Sequence, residues 1–239
     1  MNLSAKIGAF FDLDGTLIAS PSLEWRFLAH LLARDAICRA NMLRWLKHCA
    51  KTIVHDRLAA VDGNKLYLAG LAESLAADWT AAGMPNSPPF YLDGMARLAW
   101  HHTQRHRVFL VSGTLAPLAR AIAPCFPCPM EIVASELKAV DGHWTGWLAD
   151  KHMSGYAKAR ALQMLATKYR LDLNQSFAYG NHSDDIPMLE SVGNPVAVNP
   201  SWRLTCTSRL RGWRICKWKK SQGAVRAASS RVLAPKEAR

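Results

Sequence analysis

The chain has 239 residues, half of them hydrophobic, and a formal charge of +12. That length buries a sizeable core in one domain, or in one domain carrying an insertion. No run of 18 or more residues is free of charge, which argues against a spanning helix, and an acidic strand end by residue 12 leaves no room for a signal peptide. Six cysteines (38, 49, 125, 128, 206 and 216) without a secretory signal suggest reduced thiols in the cytosol, and Cys125 and Cys128 read as a proline-flanked rigid loop. The charge is uneven. Residues 201–239 hold eleven Lys/Arg and one Glu, a net of +10, so the first 200 residues are nearly neutral.

In chain order, Ile7–Phe11 is an apolar strand that runs into Asp12-Leu13-Asp14-Gly15-Thr16. Side chains two apart on a strand share a side, so Asp12 and Asp14 face one crevice while Leu13 packs behind. Two carboxylates that close repel unless a cation or a proton lies between them. Residues 22–61 have helical apolar spacing, and Leu66–Ala82 reads as a second helical run before the breaker cluster 85–89. A helix over Asp93–Gln104 follows, then the buried-type strand Val108–Val111, Ser112-Gly113-Thr114 and a helix from about Leu115 to Ala123. His101, His102 and His106 have metal-like spacing but no acid or Cys nearby, and read as a solvated helix end.

Further on come a strand at Glu131–Ala134, a turn at Asp141-Gly142, a helix over 155–169 and a strand at Ser176–Tyr179 opening into Gly-Asn-His-Ser-Asp-Asp. Pro195–Val198 is the last strand. Strands alternating with helices imply an α/β fold, a Rossmann-like doubly wound parallel sheet. About 70 helical residues after the first strand exceed a crossover and read as an inserted α-helical cap. The expected organisation is a core over 1–18 and 92–220, a cap over 19–91 and a basic flexible tail over 221–239. Cations interleaved with Trp202, Trp213 and Trp218 suit an anionic membrane surface better than nucleic acid.

Ligands of open parallel sheets bind beyond the carboxyl ends of the strands. Ser112, between an apolar strand and a helix, offers a hydroxyl and nearby N–H groups to an anion, and Lys158 offers a point charge for a phosphate. Taken in order, DLDGT, SGT, a lysine and GNxxxD resemble the haloacid dehalogenase superfamily of phosphohydrolases, in a branch near phosphoserine phosphatase. The resemblance covers about residues 7–218. It extends to Lys65–Leu71, Asp141–Gly146 and Val192–Pro200.

The resemblance implies a magnesium-dependent phosphomonoesterase working through an aspartyl phosphate, with Asp12 as nucleophile and Asp14 as general acid and base. It implies that Ser112 and Gly113 hold phosphoryl oxygens and that Lys158 neutralises charge. It implies Mg2+ held by Asp12, the Asp14 carbonyl and residue 181, with Asp185 and Asp184 as a supporting acidic loop. Residue 181 is Asn where phosphoserine phosphatases carry Asp, which predicts weaker magnesium binding. Those enzymes also bind the substrate amine through a cap Glu; this chain has Pro21 and Ser22 near that place, with Glu24 the nearest acid. The expected substrate is a small phosphorylated metabolite or lipid head group, met in the cytoplasm or at the membrane periphery. The alternative is a weakened relative serving as a binding module at an anionic surface.

Overall fold

In a computed structural model of the protein, residues 6–53, 64–82 and 89–221 are described. The core is a six-stranded sheet of β1 (Gly8–Phe11), β2 (Arg107–Leu115), β3 (Glu131–Ser135), β6 (Phe177–Gly180), β7 (Asn194–Val198) and β8 (Arg214–Cys216). Every pairing is parallel and the order is β3-β2-β1-β6-β7-β8. The chain winds outward from β1 to β3, then returns to β6 on the other side of β1. The switch point therefore lies between β1 and β6.

Strict alternation buries both faces of this sheet. Phe10, Phe109, Val111, Ala178 and Ala197 pack on one side with Leu162 and Leu165 of α6 (Tyr156–Tyr169), Leu189 of α7 (Ile186–Glu190) and Leu204 of α8 (Trp202–Leu210). Ala9, Phe11, Val108, Leu110, Tyr179 and Val196 face the other side, with Leu98 of α4 (Leu92–Thr103) and Leu118 of α5 (Ala116–Ile122). Stacked rings lock the central strands, Phe10 on Phe109 at 4.9 Å and Phe11 on Tyr179 at 4.4 Å.

Between β1 and β2 the chain leaves the sheet at Ile18, which bridges Phe90 on return, and Tyr91 N donates to Leu17 O at 2.9 Å. The expected 22–61 helix is two, α1 (Leu23–Ala33) and α2 (Arg39–Ile53), separated at Asp35 by a left-handed φ of 49°. Residues 54–61 lie outside the described residues. The 66–82 run is not one helix either: a 3-10 turn at Leu66–Leu68 precedes α3 (Leu75–Ala81). The reason is a better partner for its backbone. β4 (Leu137–Val140) and β5 (His143–Leu148) form an antiparallel hairpin, and β5 exchanges hydrogen bonds with this segment. Lys65 N donates to Gly146 O at 2.7 Å, Gly70 N to Trp144 O at 2.8 Å and Trp144 N to Leu71 O at 2.9 Å. The Asp141-Gly142 turn, both φ positive, closes that hairpin.

The C-terminal segment is also different from a basic amphipathic helix. After α8, residues 214–216 join the sheet as its edge strand. Trp202 is 73% exposed, whereas Trp218 packs 5.9 Å from the Tyr179 ring, so the tryptophans share no single face. The 221–239 tail lies outside the described residues from 222 on. No helix among the described residues is long and apolar enough to cross a membrane. All six cysteines are free.

The histidine reading needs correction. His101 is fully buried, with Nδ1 2.7 Å from His106 Nδ1 and Nε2 2.9 Å from the Tyr179 hydroxyl. Burial first, then the neighbouring His106 and Arg97, push its pKa down to about 3. The unfolded chain therefore takes up a proton near the ordinary histidine range that the folded chain refuses. Stability attributable to His101 is full above that range and falls as pH drops toward 3. A His101→Gln variant is expected to lose less stability than wild type between pH 7.5 and 4.5, measured by urea midpoints; equal losses would mean His101 does not fold as the neutral base.

Candidate active site

Asp12 follows β1 directly and its N–H donates to Tyr179 O at 2.9 Å, continuing the ladder to β6. The chain then turns back on Leu13, whose carbonyl accepts from Leu17 N and Ile18 N. Gly15 makes this turn at φ 85°, and a Cβ there would collide with the Asn181 side-chain amide. Only glycine lets the β1 and β6 loops meet at that point. Thr16, fully buried, donates its hydroxyl to Asp12 Oδ2 at 3.2 Å and lies 3.4 Å from Asn181 Oδ1.

Asp14 is held by two elements. Its Oδ1 accepts from Leu23 N, the first residue of α1, at 2.7 Å, and its Oδ2 accepts from the Thr114 hydroxyl. Ser112 Oγ in turn donates to Thr114 Oγ1 at 3.2 Å. Residues 112–114, placed between the apolar strand and the helix, are part of β2 itself, so these hydroxyls stand on a rigid strand.

Lys158 comes from the first turn of α6, buried to 4% exposure. Its Nζ lies 2.6 Å from Asp12 Oδ1 and 2.6 Å from Asp185 Oδ1. Asp185 Oδ2 accepts from Asn181 N at 2.9 Å and His182 N at 3.0 Å, which closes the β6 loop around the carboxylate. Asp184 points outward and pairs with His182 at 3.2 Å. Burial pushes the Asp12 carboxyl up to about 7, helped by Asp185 and opposed by Lys158. Burial raises Asp14 as well, against the Thr114 and Leu23 hydrogen bonds. Burial alone would lower Lys158, but Asp12 and Asp185 overcome it and hold the ammonium charged.

Asp12, Asp14, Ser112, Gly113, Lys158, Asn181, Asp184 and Asp185 all line one cavity of about 400 Å³. Sequence reading passed over Thr16 and Thr114, although both stand in the quoted motifs. It also passed over His152, against which a Cβ on Gly113 would press, and gave Lys65 and Tyr67, within the Lys65–Leu71 stretch, no role at the site. The β5 contacts that bring these two to the cavity are long-range, so the stretch alone does not locate them.

A divalent cation fits this site. Two buried carboxyls, Asp12 and Asp185, hold one buried ammonium with the half-buried Asp14 close by, and burial raises Asp12 and Asp14 toward protonation, which a bound cation would oppose. The donors near Asp12 are oxygens, with Asn181 Oδ1 among them, as a hard ion prefers. Among the described residues no three His, Cys, Asp or Glu side chains cluster as a metal cage, so such an ion would keep waters.

A parallel doubly wound sheet with acids, hydroxyls and a buried lysine at its switch point is the layout of a hydrolase acting on an anionic group. The chain belongs to the haloacid dehalogenase-like hydrolase family, whose pattern it matches over residues 9–190. A Mycobacterium tuberculosis (strain ATCC 25618 / H37Rv) protein named phosphoserine phosphatase SerB1 is 30% identical over 95% of this chain and 75% of its own length. A protein of unknown function from Bordetella pertussis Tohama I has the same fold, with a TM-score of 0.70 at 21% identity over 89% of this chain and 98% of that one. Phosphoserine phosphatase solved as a phospho-aspartyl intermediate analogue gives 0.63 at 18% identity over 91% and 95% of the two chains.

The two adjacent acids of the β6 loop should separate cleanly. Asp185→Ala leaves Lys158 short of one counter-charge and two N–H groups unpaired, and is expected to cost about 3–5 kcal/mol in denaturant unfolding. Asp184→Ala removes only a solvent-facing pair and should cost less than about 1 kcal/mol. Similar losses for both would contradict the buried arrangement.

Proposed function

We propose that the protein is a magnesium-dependent phosphomonoesterase that works through an aspartyl phosphate, with residues 19–91 forming a cap over a core of 1–18 and 92–220. The observation that carries the reading is the Asp12–Lys158 contact of 2.6 Å at the mouth of β1, with Asp14 fixed beside it by Thr114 and Leu23. In this reading the Asp12 carboxylate attacks phosphorus and the bond to the alcohol oxygen breaks. Protonated Asp14 gives its proton to that oxygen, and burial favours the protonated form. Asp14 then takes a proton from water, whose oxygen attacks phosphorus as the bond to Asp12 breaks and phosphate leaves. Ser112 and the Gly113 N–H would hold phosphoryl oxygens, with Thr114 relaying the Ser112 hydroxyl toward Asp14. Lys158 stays charged, orients Asp12 and favours its ionised form against the burial that raises it.

Asp12, the Asp14 carbonyl and Asn181 would hold the magnesium ion. The bound ion would supply positive charge to the phosphoryl oxygens and to Asp12. Asp185, fixed by two N–H groups and Lys158, serves here as a positioning residue. The substrate would be a small phosphorylated metabolite or lipid head group. A contact with an anionic membrane rests on seven Lys/Arg and no acid over 201–221, with Leu210 88% exposed. Sedimentation with anionic vesicles at low salt would decide it, and its absence would end that part. The rival reading, a weakened binding module, requires that turnover be negligible.

Phosphate release titrated with magnesium separates these readings. Wild type is expected to turn over phosphomonoesters, and Asp12→Asn to lose turnover while remaining folded, since Asp185 stays as a counter-charge to Lys158. Full activity in Asp12→Asn would refute the nucleophile. Asn181→Asp adds a charge beside the ion and should tighten half-saturation by roughly 1–2 kcal/mol. Equal half-saturation would mean residue 181 does not touch the metal.

A further inference from the structure

The wall of the cavity facing the sheet comes from α1, α2 and the segment after residue 64, through Glu24, Trp25, Leu28, Trp45, Lys65 and Tyr67. It carries one carboxylate and one ammonium. Lys65 Nζ lies 2.6 Å from Glu24 Oε1, and the Tyr67 hydroxyl donates to the same oxygen at 2.9 Å. Lys65 is 4% exposed and the Glu24 side chain 19%. The remaining surface from these elements is aromatic or aliphatic, with the uncharged Ser20 and Ser22 at the start of α1. The Trp45 ring meets Tyr67 edge-on at 5.2 Å, and Trp25 stands at the mouth, 59% exposed.

Resting on the phosphomonoesterase reading, we infer that this wall selects an uncharged leaving group: the substrate is the phosphate ester of an apolar or aromatic alcohol, not of an amino alcohol or a hydroxy acid. The argument is electrostatic. A ligand ammonium drawn to Glu24 must displace Lys65, whose buried charge then loses this counter-charge. A ligand carboxylate drawn to Lys65 leaves Glu24 with the Tyr67 hydroxyl but without its counter-charge. Breaking a buried pair by removing one partner is strongly unfavourable, so neither exchange yields net binding. Burial and the Glu24 charge hold the Tyr67 phenol well above its ordinary pKa, so it remains a donor to Glu24. Asp184, the other acid near the opening, belongs to the sheet side and pairs with His182. An uncharged group makes no such demand, and an aromatic one gains by covering Trp25 and Leu28.

Four esters read the charge directly. Propyl phosphate and phosphoethanolamine differ only by a methyl against an ammonium; phosphoglycolate adds a carboxylate, and 2-phenylethyl phosphate an aromatic ring. In wild type, kcat/KM is expected to be at least about tenfold higher for propyl phosphate than for either charged ester, and higher again for the phenylethyl ester. Lys65→Met releases Glu24 and should raise phosphoethanolamine relative to propyl phosphate. Glu24→Gln releases Lys65 and should raise phosphoglycolate instead. The double variant removes both charges and should keep the wild-type order. Should a single variant fail to fold by circular dichroism, the wild-type order still decides. Phosphoethanolamine or phosphoglycolate hydrolysed as well as propyl phosphate would overturn the inference and leave the phosphomonoesterase reading standing. No turnover of any ester, 4-nitrophenyl phosphate included, would overturn both.

Discussion

Lys158 is the ammonium on which the site's arrangement depends, because among the described residues it alone pairs with buried carboxylates from two different strand ends. It draws Asp12, at the end of β1, and Asp185, beyond β6, to within 2.6 Å of one nitrogen. Burying a charge is expensive unless it is paired and hydrogen-bonded. Here each acid has further donors, Thr16 on Asp12 and two backbone N–H groups on Asp185, so the cluster has few unsatisfied lone pairs. A lysine on α6, packed through Leu162 and Leu165 onto the same sheet, cannot follow a moving loop. The helix therefore fixes the two strand ends, and they fix the space where phosphate chemistry would occur.

The same cluster explains the shape of the loops around it. Gly15 has to be glycine because Asn181 occupies the space its Cβ would take, and Gly180 packs on Asp185 in the same way. The β1 and β6 loops are thus packed tightly against each other, and the cavity opens beyond them. What room remains lies toward the wall carrying Glu24 and Lys65. A pocket closed on its reactive side and lined with rings on the other leaves discrimination among esters to the residues farthest from phosphorus.

Much of this was legible in the sequence because the core elements are local and periodic. The strands at 7–11, 108–111, 131–134, 176–179 and 195–198 are apolar runs, and the acids and hydroxyls at their ends follow within a few residues. Helical spacing at 155–169 placed Lys158 at a helix start. What escaped was set by partners distant in sequence. Leu66–Ala82 has helix-forming residues throughout, yet its first half gives its backbone to β5, some 75 residues away, and no window along the chain records that exchange. β8 likewise becomes a strand because β7 offers a free edge. His101 looked like a solvated helix end because Phe11, Phe177 and Tyr179, which enclose it, come from two other strands.

Asp14 joins these two levels. One carboxylate oxygen takes a hydroxyl from β2 and the other takes the first N–H of α1, the helix that also carries Glu24 and Trp25. Ser22 caps the same helix by accepting from Trp25 N, so the helix start divides its unpaired donors between a serine and the acid. A helix N-terminus favours the ionised carboxylate, while burial favours the protonated one. Burial has the larger effect here, and Asp14 is raised. The balance depends on α1 staying seated: a shift of that helix would remove a hydrogen bond that lowers the pKa and admit water that relieves the burial that raises it. The element that would line the leaving-group wall and the element setting the proton affinity of Asp14 are therefore one helix, so in the proposed mechanism recognition of the alcohol and its protonation would be mechanically linked.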